Sequence, residues 1–125
     1  MRRLTLAVTL VLLAAGSVTA HHGYANFDRD KLVTIDGVLE ELMYGNPHVV
    51  MKIRHGSDLY VASWDSANVV WRRAHFNATT FHVGDRIIVT GCPSRDATAH
   101  ELALLTEVAR PADGWRWKSP PTATN

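Results

Sequence analysis

The stretch His48-Val49-Val50-Met51-Lys52-Ile53-Arg54 decides the fold of this chain. Val49, Met51 and Ile53 fall on one side of an extended backbone, which is the pattern of a strand with one buried face. A short polar turn follows, and a second apolar stretch then covers Leu59–Trp64. The two stretches predict a β-hairpin.

A longer strand is predicted before this hairpin, over Lys31–Met43. Its alternation of apolar and polar residues loses phase at Gly37, so we expect a β-bulge there. Tyr44-Gly45-Asn46-Pro47 then has the composition of a turn. His48 therefore lies at the start of a strand, on its charged side, where a core role is not expected.

A short helix is predicted after the hairpin, over 67–75, with Asp65 or Ser66 as its cap. Helical spacing places Trp71 and three smaller apolar residues on an inward stripe. Beyond the helix, Gly84-Asp85 turns the chain into a fourth strand.

The fourth strand covers Arg86–Cys92, and the segment Glu101–Ala109 is ambiguous. Its alanines, leucines and glutamates favour a helix by propensity, yet its apolar residues also alternate. We predict a strand, because the four preceding strands need a fifth to close a sheet. The result is a mainly all-β fold, a five-stranded OB-like antiparallel barrel with one short helix between strands 3 and 4. Another small antiparallel barrel or a short sandwich is the alternative.

Residues 1–20 have the three parts of a secretory signal, with cleavage expected after Ala20. Arg2 and Arg3 form the basic end, and the apolar run Leu4–Ala15 is too short to span a bilayer. Residues 21–110 then form the barrel domain, and 111–125 an irregular C-terminal tail. We expect a periplasmic or secreted protein with no membrane span after cleavage. Trp115-Arg116-Trp117 in the tail either folds back across the barrel end, which we favour, or docks another exported protein.

The charge and cysteine content exclude some classes of protein. Without Arg2 and Arg3, the 13 basic residues become eleven, against 12 acidic residues, so the exported domain carries about −1. A near-neutral domain lacks the basic face of nucleic-acid binders. The single cysteine, Cys92, cannot form an internal disulfide and is either a soft metal ligand or a small buried side chain.

Several short motifs resemble those of a bacterial family of short exported proteins of unknown function, whose members open with His-His-Ser-Phe-Ala after the signal. This sequence has Gly23-Tyr24 in place of Ser-Phe, and Ala67 where proline is usual. The resemblance implies export and a shared fold, but no activity. The matching segments are His21-His22-Gly23-Tyr24-Ala25 with Phe27-Asp28, Gly37-x-Leu39, Asn46-Pro47-His48, Ser66-Ala67-Asn68, Gly84-Asp85 and Asp113-Gly114.

The expected cut after Ala20 makes His21 the first residue of the exported protein. An N-terminal histidine can chelate copper through its α-amine and its ring, and a second imidazole completes a histidine-brace-like site. His48 is the expected second imidazole, and His22 and Asp28 are possible additional ligands. The sequence thus predicts an exported protein that binds or handles copper and does not catalyse a reaction.

Two alternatives remain open from the sequence. The two N-terminal histidines can be a mobile polar terminus, in which case the barrel is a metal-free module that binds a small ligand or an exported protein. A brace-bound copper can also serve an oxidative enzyme. No hydrolase elbow, phosphate loop, zinc-protease motif or dinucleotide fingerprint is present. The remaining histidines, at positions 55, 75, 82 and 100, are expected to be exposed.

Overall fold

Six strands and one helix organise the chain in a computed structural model, which describes residues 23–120. The predicted signal and the residues His21 and His22 lie outside the described part, so the leader and its cleavage stay predictions. A 3₁₀ turn at Tyr24–Asn26 precedes the first strand. The elements are β1 (Val33–Met43), β2 (Val50–His55), β3 (Asp58–Ser63), α1 (Ala67–Ala74), β4 (Arg86–Pro93), β5 (Glu101–Arg110) and β6 (Trp115–Lys118).

The strands form one sheet in the order β3-β2-β1-β4-β5-β6, and a further pairing of β3 with β5 closes the first five into a barrel. This confirms the predicted five-stranded barrel with its helix between strands 3 and 4. The closing pair is parallel and short, joining Val61 to Glu101 and Ala62 to Leu102. The barrel is therefore mixed, whereas the sequence suggested antiparallel pairing throughout.

The barrel interior is filled by the residues that alternation marked as apolar. Met51 and Ile53 of β2 are fully buried, and so is Val49 just before that strand. In β5, Leu102 and Val108 are also buried, which confirms the strand over the helix that local propensity favours. Sheet closure outweighs helix propensity here because propensities differ by only a few tenths of a kcal/mol per residue.

The bulge in β1 lies three residues beyond the predicted position. The register shifts between Leu39 and Glu41, so Glu40 is the extra residue, while Gly37 still pairs regularly with Ile87. Gly37 has a different reason to be glycine. A Cβ atom there would meet the backbone carbonyl of Arg54, so only a residue without a side chain lets β1 and β2 approach this closely.

Helix α1 packs one edge against the barrel. Ala67 and Val70 are buried, but Trp71 is 49% exposed, so the prediction that Trp71 belongs to the inward stripe is wrong. Tyr44 connects both ends of the helix to the turn after β1, because its hydroxyl lies 3.1 Å from the carbonyl oxygens of Ala67 and Phe76.

The predicted irregular tail contains a strand instead. Trp115–Lys118 forms β6, which pairs antiparallel with the end of β5. The segment folds back onto the barrel: Trp117 is only 9% exposed and its ring centroid lies 4.8 Å from that of Trp64. Pro111 and Gly114 suggested irregular structure, but they only form the turn that connects β5 to β6.

A set of charged residues joins the β5–β6 turn to the loop before β4. Arg110 donates hydrogen bonds to Asp85 (2.8 Å), to both carboxylate oxygens of Asp113 and to the carbonyl oxygen of Thr80 (2.7 Å). Its guanidinium lies 5.0 Å from the ring centroid of Phe81. We call these five residues the Arg110 cluster. The backbone N–H of the loop and the Arg110 guanidinium together lower the pKa of the Asp85 carboxyl.

The first and last described segments meet on the barrel surface. Tyr24 and Ser119 line the same depression, whose other walls include the rings of Trp64 and Trp117. Tyr24 and Ser119, near the two ends of the described chain, therefore lie on the same side of the barrel.

Candidate metal site

His48 is the predicted ligand that the structure describes most fully. Its ring Nδ1 lies 2.9 Å from the carbonyl oxygen of Trp64. A carbonyl oxygen only accepts hydrogen bonds, so Nδ1 is the donor; in the neutral ring this leaves the lone pair on Nε2. Metal-binding histidines are commonly held this way, with one nitrogen donating to a carbonyl and the other free for the metal.

The backbone on the C-terminal side of His48 is fixed by β-type pairing. The N–H of Val49 donates to the carbonyl of Asp65 (3.0 Å), and the N–H of Trp64 donates to the carbonyl of Val49 (2.8 Å). Val49 itself is fully buried. The imidazole is thus an exposed side chain on a backbone that has little freedom to move.

The segment that follows His22 runs across the barrel beside this histidine. Phe27 forms an isolated bridge with Ser94, and the N–H of Asp28 donates to the carbonyl of Pro93 (2.8 Å). The N–H of Arg95 donates to the carbonyl of Asn26, also at 2.8 Å. These bonds attach the N-terminal segment to the β4–β5 connection.

A surface groove joins the N-terminal segment to His48. We call it the His48 groove. Its volume is about 260 Å³, slightly below the usual range for organic ligands. It is lined by Tyr24, Asn26, Phe27, His48, Val61, Ser63, Glu101 and Ala103.

Asp28, a predicted auxiliary ligand, lines a different depression beside Tyr60 and His100. Its carboxylate lies 3.4 Å from the ammonium of Lys31 and accepts a hydrogen bond from the N–H of Asp30. The structure therefore brings His48 together with the N-terminal segment, and leaves Asp28 outside the His48 groove.

Within residues 23–120, no three histidine, cysteine, aspartate or glutamate side chains lie close enough together to hold a metal ion. His48 contributes one imidazole, and a metal bound in its groove needs further ligands. His21 and His22, directly before the described segment, are the ligands that the sequence predicts.

Glu101 is a groove residue that the sequence did not single out. It begins β5 and pairs with Val61 in the parallel closure of the barrel. It lines the His48 groove and also the depression that holds Asp28. A long-range parallel register is not visible in local sequence. Within residues 23–120, every acidic side chain except Asp30 and Glu101 has a hydrogen-bond or ion-pair partner.

His55 provides a comparison for His48. Its Nδ1 lies 2.8 Å from the carbonyl oxygen of Asp36, so its ring is held in the same way. It lies at the far end of β2, however, away from the N-terminal segment. The predicted exposure is confirmed for His55, His75 and His82, whereas His100 is half-buried and stacks on Tyr60 with 5.0 Å between ring centroids.

Cys92 is buried in β4, as expected for a small apolar side chain. Burial raises the pKa of its thiol, so the neutral form is favoured. The thiolate is the form that binds metals. Cys92 therefore acts as a packing residue and does not line the His48 groove.

A family model matches residues 9–103, and its description is "Family of unknown function (DUF6152)". The match covers most of the chain. The chain belongs to this family. The DUF6152 match agrees with the resemblance to an uncharacterised family, and none of the curated proteins compared with the chain matches it. Within the described residues, no helix is long and apolar enough to cross a membrane.

Proposed function

We propose that this protein is exported and binds one copper ion at its mature N-terminus, in order to carry or buffer the metal. His21 provides the α-amine and one imidazole, and His48 provides the second imidazole. His22 and Asp28 are auxiliary candidates. Cleavage after Ala20 is part of the proposal, since only a free amine on His21 forms the chelate.

The observation that carries this proposal is the shared groove of Tyr24 and His48. His21 is three residues before Tyr24, and three extended residues span at most about 10 Å. The amine and ring of His21 are thus within reach of the His48 imidazole. The orientation of His48 adds support, because its Nδ1 is already occupied by the Trp64 carbonyl.

The ligand types favour copper among the divalent metals. Two neutral imidazoles and an amine are nitrogen donors, which suit Cu²⁺, Ni²⁺ and Zn²⁺, and Cu²⁺ binds most tightly in this series. The groove is small, and His48 is the one histidine in its described lining. These properties fit one bound ion better than a large organic substrate.

The test is native mass spectrometry of the protein exported by a bacterial cell, measured with and without added Cu²⁺. A chain that begins at His21 and retains one copper is the expected result. The double variant His21→Ala/His22→Ala keeps the free amine but removes both N-terminal imidazoles, and should lose the copper.

Two outcomes would replace the proposal. A chain that begins at His21 and ignores copper would indicate a metal-free OB-type module that binds a ligand or an exported protein. Copper-dependent consumption of oxygen together with a reductant would indicate the oxidative enzyme.

A further inference from the structure

We propose that the free edge of β6 binds an extended, acidic segment of a partner protein, which joins the sheet as a further strand. We call this surface the β6 edge, and it consists of the backbone and side chains of Arg116 and Lys118. Neither residue lines the His48 groove, so this inference does not rest on the proposed copper site.

The backbone of β6 is paired on one side. β6 ends the order of strands in the sheet, with β5 as its neighbour and no second partner strand among residues 23–120. The N–H of Ser119 donates to the carbonyl of Thr106 (2.8 Å), which continues the register of the β5–β6 pair. In an antiparallel ladder every second residue bonds to its neighbour, so the N–H and C=O groups of Arg116 and Lys118 point away from β5. Four backbone groups are thus available to another strand.

The side chains of the β6 edge carry a net positive charge. Arg116 and Lys118 are both exposed, and both pair with the carboxylate of Glu107, at 3.1 Å and 3.4 Å. Because two cations share one anion, an acidic side chain on an added strand is a favourable cross-strand neighbour. The same charges disfavour a second copy of this chain, since antiparallel pairing of two β6 strands sets these cations against each other.

A depression on the other face of β6 suits the apolar residues of such a segment. Trp117 and Ser119 line it, and the alternation of a strand puts both on the face opposite to the two cations. Its volume is about 300 Å³, and its walls include Trp64 and Leu104. A strand added at the β6 edge places every second side chain on this face. The partner segment is therefore one in which acidic and apolar residues alternate, bound by strand addition.

The test uses the full exported protein and a capped, labelled peptide in which glutamate and valine alternate. A peptide of the same length with lysine in place of glutamate is the matched probe. We expect the glutamate peptide to bind at least about tenfold more tightly in a fluorescence titration, because the lysine peptide sets like charges together. Binding should also protect the N–H groups of Arg116 and Lys118 from exchange with solvent, as measured by nuclear magnetic resonance.

Two variants at one position separate the backbone from the charge. Lys118→Pro removes an outward N–H that the sheet does not use, and proline is tolerated at such a position of an edge strand. Lys118→Ala removes the charge and keeps the N–H. We expect the glutamate peptide to bind about tenfold more weakly to Lys118→Pro and about threefold more weakly to Lys118→Ala. Continued protection of the Trp117 N–H in both variants checks that β6 stays paired with β5.

Arg116→Glu keeps every backbone group and should shift the preference toward the lysine peptide. Equal affinity of the natural sequence for the two peptides, or equal binding by Lys118→Pro and Lys118→Ala, would overturn the proposal. A dimer that dissociates in Lys118→Pro would also overturn it, because the β6 edge would then pair with a second copy. Protection of the Arg116 and Lys118 N–H groups in a monomer without peptide would do the same, since the chain itself would then cover the edge.

Discussion

The Arg110 cluster and the His48 groove both contain charged or polar residues on the barrel surface, but their hydrogen bonding differs. In the cluster, Arg110 is bonded to Asp85, Asp113 and Thr80 at once. In the groove, His48 uses one ring nitrogen and Glu101 has no partner among the described residues. A polar set that satisfies itself stabilises the fold, whereas one with spare ligand atoms can bind something else.

Both regions contain motifs that the family resemblance had picked out together. Gly84-Asp85 and Asp113-Gly114 belong to the Arg110 cluster or adjoin it, and Asn46-Pro47-His48 leads into the groove. The structure assigns these motifs different roles. The first two contribute to stability, whereas stability does not explain the exposed imidazole of His48. Stability and copper binding should therefore respond to different substitutions.

The largest effect is expected at Trp117, a buried aromatic residue of β6. Trp117 packs on Trp64, whose carbonyl holds His48. Trp117→Ala should lower the free energy of unfolding by about 3–5 kcal/mol, as loss of a buried aromatic ring does. It should also weaken copper binding, since Trp64 loses its neighbour. Chemical denaturation measures the first effect. Trp71→Ala is the control, expected to cost less than about 1 kcal/mol because that ring is half exposed.

His48→Ala should separate binding from stability. We expect the Cu²⁺ affinity to fall by about 100-fold, since one of two imidazole ligands is lost. The metal-free variant should unfold within about 0.5 kcal/mol of the natural sequence, because the imidazole is exposed. His55→Ala removes a ring held by the same type of hydrogen bond and should bind copper normally. Equal losses in both variants, measured by chelator competition, would contradict the site.

Arg110→Met should give the opposite result. It removes the charged hydrogen bonds of the cluster and the guanidinium over Phe81 while keeping an aliphatic side chain, and we expect a loss of about 2 kcal/mol in stability. The copper affinity of the folded protein should not change. Arg54→Met, which breaks a solvent-exposed pair with Glu40, is the control and should be less damaging. A copper site that weakens with Arg110→Met would show that the two regions are coupled.

The smallest effect is expected in the stability of the fold at acidic pH. The pKa of Asp85 is lowered first by the His82 backbone N–H and then by Arg110. A carboxyl with a depressed pKa stabilises the fold above its unfolded value, near pH 4, and this stabilisation is lost as the pH falls through the folded value. The melting temperature should therefore fall less steeply between pH 5 and pH 2 in Asp85→Asn than in the natural sequence. Parallel curves would contradict this role.

Local sequence predicted the barrel strands because alternation is a local property. Met51 and Ile53 mark a buried face within one strand, and no distant contact is needed to see it. The misplaced bulge, the exposed Trp71 and the missed β6 all depend on which neighbours pack where. For instance, glycine is required at position 37 because the backbone of Arg54, seventeen positions later in the chain, lies too close for a side chain.

The candidate site was likewise only partly predictable from local sequence. The exposure of the His48 imidazole was predictable, because this residue follows a turn and lies on the charged face of a strand. Its Trp64 partner and the nearby Glu101 were not, because they are brought together by the β2–β3 pairing and by the parallel β3–β5 closure. Local sequence contains no signal for a two-residue parallel pairing between strands that lie about 40 positions apart.

The convergence of Tyr24 and Ser119 on one depression has a practical consequence for producing the protein. A polyhistidine tag after Asn125 starts six residues beyond Pro120, so its imidazoles can reach the barrel face that carries His48 and bind copper themselves. A tag before His21 removes the free amine. The exposed turn at Gly56–Ser57, at the far end of β2, is a better place for an affinity sequence. Copper stoichiometries obtained from a preparation tagged at either terminus would therefore describe the tag as much as the protein.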